Sequence, residues 1–405
     1  MNNFRITVKI GSNVLTRKDG TLDVTRMSAL VDQVAELYRR GIQVILVSSG
    51  AVASGRSEMK VRANGQRTAD GGQPSAGSSQ RTLDAVSQRQ LYSAVGQAKL
   101  INKYYELFRD HGIPCGQVLT TKESFGSRGH YLNQKNCMEV MLQEGVIPIV
   151  NENDTISVTE LMFTDNDELS GLIATMMNAQ LLILLSNIDG IYTGNPSDPE
   201  SQLIPIISDD TDISGYIQTN RSSFGRGGMV TKHRIARKVA GEGIEVIISN
   251  GKREGILVDL IDAEFTMHNA RLDASDDEGN NRESCITNHE PNHWPRCTRF
   301  LADKKETSSV KKWIAHSEGF SKGAIYINEG AAIAVLGERA ASILPVGVTR
   351  VEGDFEEDDI VAIYHDDKRL GVGRVSCSSA EAREVMGKKG QRPLVHYDYL
   401  ALDNE

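Results

Sequence analysis

Residues 165–190 read DNDELSGLIATMMNAQLLILLSNIDG, and the second half of this stretch decides the fold. Residues 181–185 are continuously apolar, with no polar residue to mark a solvated face. A strand of that kind is covered on both faces, the condition of a parallel sheet packed between helices. The helical stretch before it, 167–178, supplies one such cover, and the same alternation recurs through the first 262 residues. Strands are predicted at 6–10, 43–47, 146–150 and 245–248, and helices at 26–40, 90–109, 131–144 and 231–242. The expected class is therefore α/β: a mainly parallel sheet sandwiched by helices, with functional loops at the carboxyl ends of the strands. Two segments break the rhythm. Residues 62–81 contain no large apolar residue and read as a mobile surface loop. Residues 273–296 are polar and punctuated by Pro291 and Pro295, and read as a linker. Beyond it, short strands at 324–327 and 359–364 recur between Gly and Asp turns, which predicts a small β-rich domain. The expected division is 1–262, a linker or insertion at 263–304, a second domain at 305–391 and a tail at 392–405.

A chain of 405 residues exceeds one compact core, in keeping with two or more domains. Its net charge of −9 is spread over both signs, so total charge does not suggest a nucleic-acid footprint. The start, MNNFRITVKIG, lacks the basic and long apolar regions of a secretory signal, and no apolar run reaches the roughly 18 residues of a spanning helix. Five cysteines, at 115, 137, 285, 297 and 377, make no disulfide framework. A soluble cytoplasmic protein with no membrane partner is expected.

The chemistry lies in the loops. Lys9 ends the first strand and is followed by Gly11 and Ser12, an ammonium and a tight turn where a helix begins, which suits phosphate. Taken alone, a lysine followed by such a glycine is more often a surface lysine capping a strand end, so the other loops decide the reading. Ser48, Ser49, Gly50 and Ala51 form a strand-to-helix turn whose amides and hydroxyls suit a carboxylate or phosphoryl group, or simply an N-cap. Residues 151–156, NENDTI, and the later Asp165, Asn166 and Asp167 gather carboxylates for an ammonium and amides for a carboxylate, the needs of a free amino acid. Ser186 and Asn187 lead to a turn through Asp189 and Gly190 where a nucleoside fits. Gly225, Gly227 and Gly228 precede Thr231 and Lys232 at a basic helix and offer amides and a point charge to phosphate oxygens. This is not a Walker A loop, because its spacing is absent from the chain.

In order, VKIGSNVLT, VSSGAVASG, NENDTI, DNDELSGLIA, LLSNIDGIYT and GRGGMVTK resemble the amino acid kinase family, and closely the branch that phosphorylates free glutamate on its side-chain carboxylate. KGAIYINEGAAIAV and SILPVGVTRVEGDFEEDDIVAIY resemble a PUA domain, a small β-barrel. The resemblance implies an amino acid kinase fold and an enzyme using ATP and Mg²⁺. It implies that Lys9 and Lys232 bind phosphate and that Asp167 organises them. The glutamate contacts would be Ser49, Gly50, Ala51, Asp154 and Asn166. Lys9, Ser186, Asn187, Arg226, Gly227, Gly228, Met229, Val230, Thr231 and Lys232 would hold ATP. Many relatives carry Thr-Asp where this chain has Ser186-Asn187, so one carboxylate near the nucleotide is lost. The partners implied are L-glutamate and MgATP, proline as feedback inhibitor, and further copies of the chain in a dimer or tetramer.

Competing readings are a kinase of aspartate, acetylglutamate or carbamate, and an RNA-binding role for the tail. The latter rests on Lys304, Lys305, Lys311, Lys312, Lys388 and Lys389, opposed by the acidic residues of 352–359. Cys285, His289, His293 and Cys297 have a spacing that admits zinc, but a plain linker is the reading adopted and no protein-bound metal is expected.

Overall fold

The computed structural model describes residues 4–69, 83–126, 128–156, 163, 165–208, 228–273, 294–302, 314, 321–337 and 341–403. They fall into two compact units, the described parts of Met1–Thr121 with Met138–Asp303, and of Lys122–Cys137 with Lys304–Glu405.

The first unit is an eight-stranded sheet in the order β3-β4-β2-β1-β5-β7-β8-β6. The strands are β1 (Arg5–Ile10), β2 (Gln43–Ser48), β3 (Cys115–Thr120), β4 (Ile147–Glu152), β5 (Leu181–Ser186), β6 (Ile206–Ile207), β7 (Glu245–Asn250) and β8 (Cys297–Phe300). All pairs from β3 to β7 are parallel, and β8 joins β7 antiparallel. Helices α1 (Ser12–Leu15), α2 (Val24–Arg39), α3 (Ala51–Ala69), α4 (Ala85–Asp110), α7 (Asn166–Met176), α8 (Met229–Gly241) and α9 (Ile256–Asp273) accompany it.

β5 shows why its sequence is apolar throughout. Leu181, Ile183 and Leu185 pack with Ile6, Val8 and Ile10 against residues of α2, α4 and α9. Leu182 and Leu184 face the other way, into a second core with Ile235 and Val239 of α8. The same two-residue period places Lys9 of β1 opposite Ile6, Val8 and Ile10, on the α7 and α8 side of the sheet.

Several elements depart from the sequence reading. α3 continues to Ala69, so the start of the segment read as a loop is helical; lack of large apolar residues removes a burial signal but leaves the helix propensity of Ala, Arg and Gln. Residues 70–82 lie outside the described residues. α9 extends to Asp273 and β8 joins the main sheet, so both ends of the stretch read as linker carry regular structure of the first unit. β3 was not anticipated, because CGQVLT lacks the apolar run of its neighbours, as befits a strand at the sheet edge.

α3 and α4 meet at Gly55 and Gly96. A Cβ added at Gly96 would lie 1.8 Å from the Ala51 carbonyl oxygen, and one at Gly55 would lie 1.9 Å from that of Tyr92. Both obstacles are backbone, so relief requires the helices to separate. Gly96→Ala is expected to cost about 1–3 kcal/mol of stability, measured by denaturant unfolding.

The second unit contains α5 (Glu123–Gly126), the first part of α6 (Arg128–Gln143) and a five-stranded sheet in the order β10-β9-β11-β12-β13. Its strands are β9 (Gly323–Ile327), β10 (Val348–Gly353), β11 (Ile360–His365), β12 (Lys368–Val375) and β13 (Val395–Leu402), with α10 (Glu329–Leu336) and α11 (Ser379–Val385) between them. Ile325, Ile327, Val361, Ile363 and Val395 form its core. Among the described residues no helix is long and apolar enough to cross a membrane.

Candidate active site

The carboxyl ends of β1, β2, β4 and β5 converge on the N-terminus of α7. Asp165 caps that helix, its Oδ1 accepting from the amides of Asp167 at 2.8 Å and Glu168 at 3.1 Å. Its Oδ2 is buried and has no hydrogen-bond partner among the described residues. Burial, then the neighbouring charge of Asp167, pushes the Asp165 carboxyl up to about 6.

Asp167, fully buried, joins the two lysines. Its Oδ1 lies 2.5 Å from Lys9 Nζ and its Oδ2 accepts from Lys232 Nζ at 2.7 Å. One lysine comes from a strand and the other from the first turn of α8, and both are nearly removed from solvent. Burial alone would raise the Asp167 carboxyl, but the charges and hydrogen bonds of Lys9 and Lys232 outweigh it and hold the group below its ordinary value. Gly11 N donates to the Leu185 carbonyl at 3.1 Å, and a Cβ at Gly11 would approach that oxygen at 3.0 Å. The turn next to Lys9 thus runs tight against β5.

Asn166, one residue earlier, faces a second cluster. Its Nδ2 lies 3.0 Å from Ser49 Oγ, 3.0 Å from Asn151 Oδ1 and 3.1 Å from the Ser48 carbonyl. The start of α7 therefore links the lysine pair on one side to the β2 and β4 loops on the other. Gly50 sits at φ +104°, a conformation that favours glycine, and lets the chain turn from β2 into α3 at Ala51. Beneath the turn, Ser48 Oγ and Tyr104 OH share a buried hydrogen bond of 2.9 Å. Asp154 and Glu152 are both buried at the end of β4. Arg89 of α4 donates to Asp154 and to Glu152, whose Oε1 also accepts from the Phe163 amide at 3.0 Å.

Of the residues expected at a nucleotide, Ser186 ends β5 and is followed by Asn187, with Ser186 Oγ 3.5 Å from Asn187 Oδ1. Gly228 precedes α8, in which Met229, Val230, Thr231 and Lys232 form the first turn, with Val230 exposed. Gly225, Arg226 and Gly227 lie outside the described residues. The turn after β5 carries a cluster that the sequence did not disclose: Asp189 accepts from Arg253 Nε at 2.9 Å and Nη2 at 2.8 Å, and from Asn250 Nδ2 at 3.1 Å. Arg89 likewise escaped notice, since nothing in its own neighbourhood links it to a loop so distant in sequence. Of the zinc-spaced residues, Cys297 is buried in β8, and Cys285, His289 and His293 lie outside the described residues.

Residues 5–250 match the amino acid kinase family and residues 323–397 the PUA domain. The chain is 61% identical over 400 residues to a glutamate 5-kinase of Bacteroides thetaiotaomicron, covering 98% of both chains. It is 42% identical over 404 residues to a glutamate 5-kinase of Chlorobaculum tepidum, covering 98% of this chain and 97% of that one. A glutamate 5-kinase of Syntrophus aciditrophicus is 36% identical over 401 residues, with coverage of 98% and 91%.

Proposed function

The chain belongs to the amino acid kinase family, in its glutamate 5-kinase branch, and from that membership we propose that it transfers the γ-phosphoryl group of MgATP to the side-chain carboxylate of L-glutamate. The observation that carries this reading is Asp167 holding Lys9 and Lys232 on its two oxygens, directly beside Asn166 in the Ser49 and Asn151 cluster. A two-lysine phosphate cradle and an amino-acid pocket thus share one helix terminus.

The glutamate side chain, with an ordinary pKa of about 4.3, is already ionised at neutral pH, so no general base is required. Its oxygen attacks the γ-phosphorus, the bond to the β,γ-bridging oxygen breaks, and ADP leaves with that electron pair. The task of the protein is to bring an anion to a polyphosphate and to stabilise charge spreading over the transferring oxygens. Lys9 and Lys232 serve it, held in place by Asp167. Mg²⁺ enters as part of the nucleotide substrate. Ser49, Gly50, Ala51, Asp154 and Asn166 take glutamate, with the Asp154 carboxylate on its α-ammonium. Ser186, Asn187 and the segment from Arg226 to Lys232 take the nucleotide.

A hydroxamate assay for acyl phosphate with MgATP tests the reading across acids. Glutamate is expected to give product while aspartate and acetylglutamate give little; equal or greater product from either of those two would reassign the substrate. The product is a reactive mixed anhydride, which a following reductive step would consume on the way to proline. Proline carries an ammonium and an α-carboxylate in the same relation as glutamate. It is expected to raise the apparent KM for glutamate and leave kcat unchanged, measured by initial rates at several proline concentrations. The same reading carries a cytoplasmic homo-oligomer, a dimer or tetramer, which light scattering would measure.

The PUA domain supports a subsidiary role in RNA binding. In the second unit Tyr326 and Tyr364 stack with centroids 5.2 Å apart, and Arg350 lies 3.7 Å over the Tyr326 ring, the side-chain types on which unpaired bases stack. A salt-sensitive mobility shift of single-stranded RNA by the whole protein is the expected result, and no shift at low salt would remove this role.

A further inference from the structure

α4 lays one face along the loop that follows β4. Arg89 Nε donates to Asp154 Oδ1 at 2.8 Å, Nη2 donates to the same oxygen, and Nη2 also reaches Glu152 Oε2 at 3.3 Å. One turn on, Ser93 Oγ stands 3.5 Å from Asp154 Oδ2, and after a further turn Gln97 Nε2 donates to the Glu152 carbonyl at 3.1 Å. Gln90 Nε2 donates to the Thr155 carbonyl at 2.9 Å. Positions 89, 93 and 97 are spaced to share a helix face. The close crossing at Gly55 and Gly96 brings α4 next to α3, which itself begins at the Ser49–Gly50 turn.

Glu152 and Asp154 are adjacent buried carboxylates, and two such groups do not both carry charge without a nearby cation. Burial first and Asp154 second push the Glu152 carboxyl up to about 7, and the Arg89 charge opposes both. The two oxygens of Asp154 are unequal. Oδ1 takes both guanidinium bonds, whereas among the described residues the hydrogen-bond donor to Oδ2 is Ser93, at a long 3.5 Å, and the Glu152 carboxyl lies against the Asp154 carboxyl.

We propose that Arg89 is a positioning residue for the amino-acid substrate, clamping Asp154 through Oδ1 so that Oδ2 is presented to the substrate α-ammonium. The inference rests on the reading of Asp154 given under Proposed function. Arg89 acts through Asp154 and makes no contact with glutamate itself. The planar fork of arginine suits this task, since it fixes the orientation of a carboxylate as well as its charge.

The test is a double-mutant cycle on the whole enzyme, with KM for glutamate, KM for ATP and kcat measured for Arg89→Met, Arg89→Lys, Asp154→Asn and the Arg89→Met/Asp154→Asn pair. Arg89→Met is expected to raise KM for glutamate about 30-fold while KM for ATP stays within about 2-fold. Arg89→Lys keeps the charge without the fork and recovers part of the loss. The double variant is expected to be no worse than Asp154→Asn alone, because one defect contains the other. Penalties that multiply in the double variant, or a wild-type glutamate KM in Arg89→Met, overturn the inference alone. A wild-type glutamate KM in Asp154→Asn brings down the reading of Asp154 and the inference with it. Should Arg89→Met fail to fold, Arg89→Lys carries the comparison: a wild-type glutamate KM there, with Asp154→Asn impaired, rejects the clamp.

Discussion

Lys232→Ala is expected to lower kcat about a thousandfold while KM for glutamate moves by less than about 3-fold. Lys232 opens α8 directly after Gly228, with its ammonium on Asp167 and on the far side of α7's first turn from the Ser49, Asn151 and Asn166 cluster. On the proposed reading it meets the phosphoryl group and leaves the amino acid to other residues. Removing it also leaves Asp167 paired with Lys9, so the buried carboxylate is not stranded and the fold is retained. The measurement is steady-state kinetics with each substrate varied in turn. A variant with near-normal kcat would remove Lys232 from phosphoryl transfer.

Asp167→Asn is expected to damage both folding and turnover. Lys9 and Lys232 are 5% and 8% exposed, and the carboxylate between them is the shared partner that allows two buried ammonium groups to face each other. The amide has nearly the same shape but no charge. Breaking a buried ion pair from one side costs about 3–5 kcal/mol, and that loss is expected in denaturant unfolding at neutral pH. Turnover is expected to fall at least about a hundredfold, because neither lysine is then held at the site of transfer. The pH dependence follows from the direction of the Asp167 shift. A carboxyl lowered in the folded state stabilises the protein above its ordinary unfolded pKa of about 3.9 and loses that contribution as pH falls through the folded value. The gap in stability between wild type and Asp167→Asn is therefore full at neutral pH and narrows below about pH 4. A gap independent of pH would mean that the pairing contributes nothing to folding.

The legibility of these features in sequence follows their physics. β5, with every residue buried, is legible from its lack of alternation, and β2, β4 and β7 in the same way, whereas β1 is legible from the alternation of Ile6, Val8 and Ile10 with Thr7 and Lys9. β3 at the sheet edge and β8 within a polar stretch gave no such signal, and α9 was lost where the chain seemed to become linker. The order of chemical types in the loops, Lys9 before Ser49 before Asp154 before Asn166 and Asp167 before Lys232, is visible as a series of weak turns. Their meeting is implied by the family resemblance and by the gathering of loops at strand ends; what the residues do not disclose is how α7 divides the neighbouring Asn166 and Asp167 between two clusters. Arg89 was wholly hidden. An arginine on a long helix is ordinarily a solvated charge, and only the packing of α4 across the β4 loop turns it toward two buried carboxylates.

Direct transfer between two anions held side by side is tested most closely by isotope. Glutamate labelled with ¹⁸O in its side-chain carboxylate is turned over with MgATP and the product is cleaved with hydroxylamine, which attacks the carbonyl carbon and releases phosphate with the bridging oxygen. Attack by the carboxylate on the γ-phosphorus gives inorganic phosphate carrying one ¹⁸O atom for each hydroxamate formed. Unlabelled phosphate, or ADP released without hydroxamate, would contradict it.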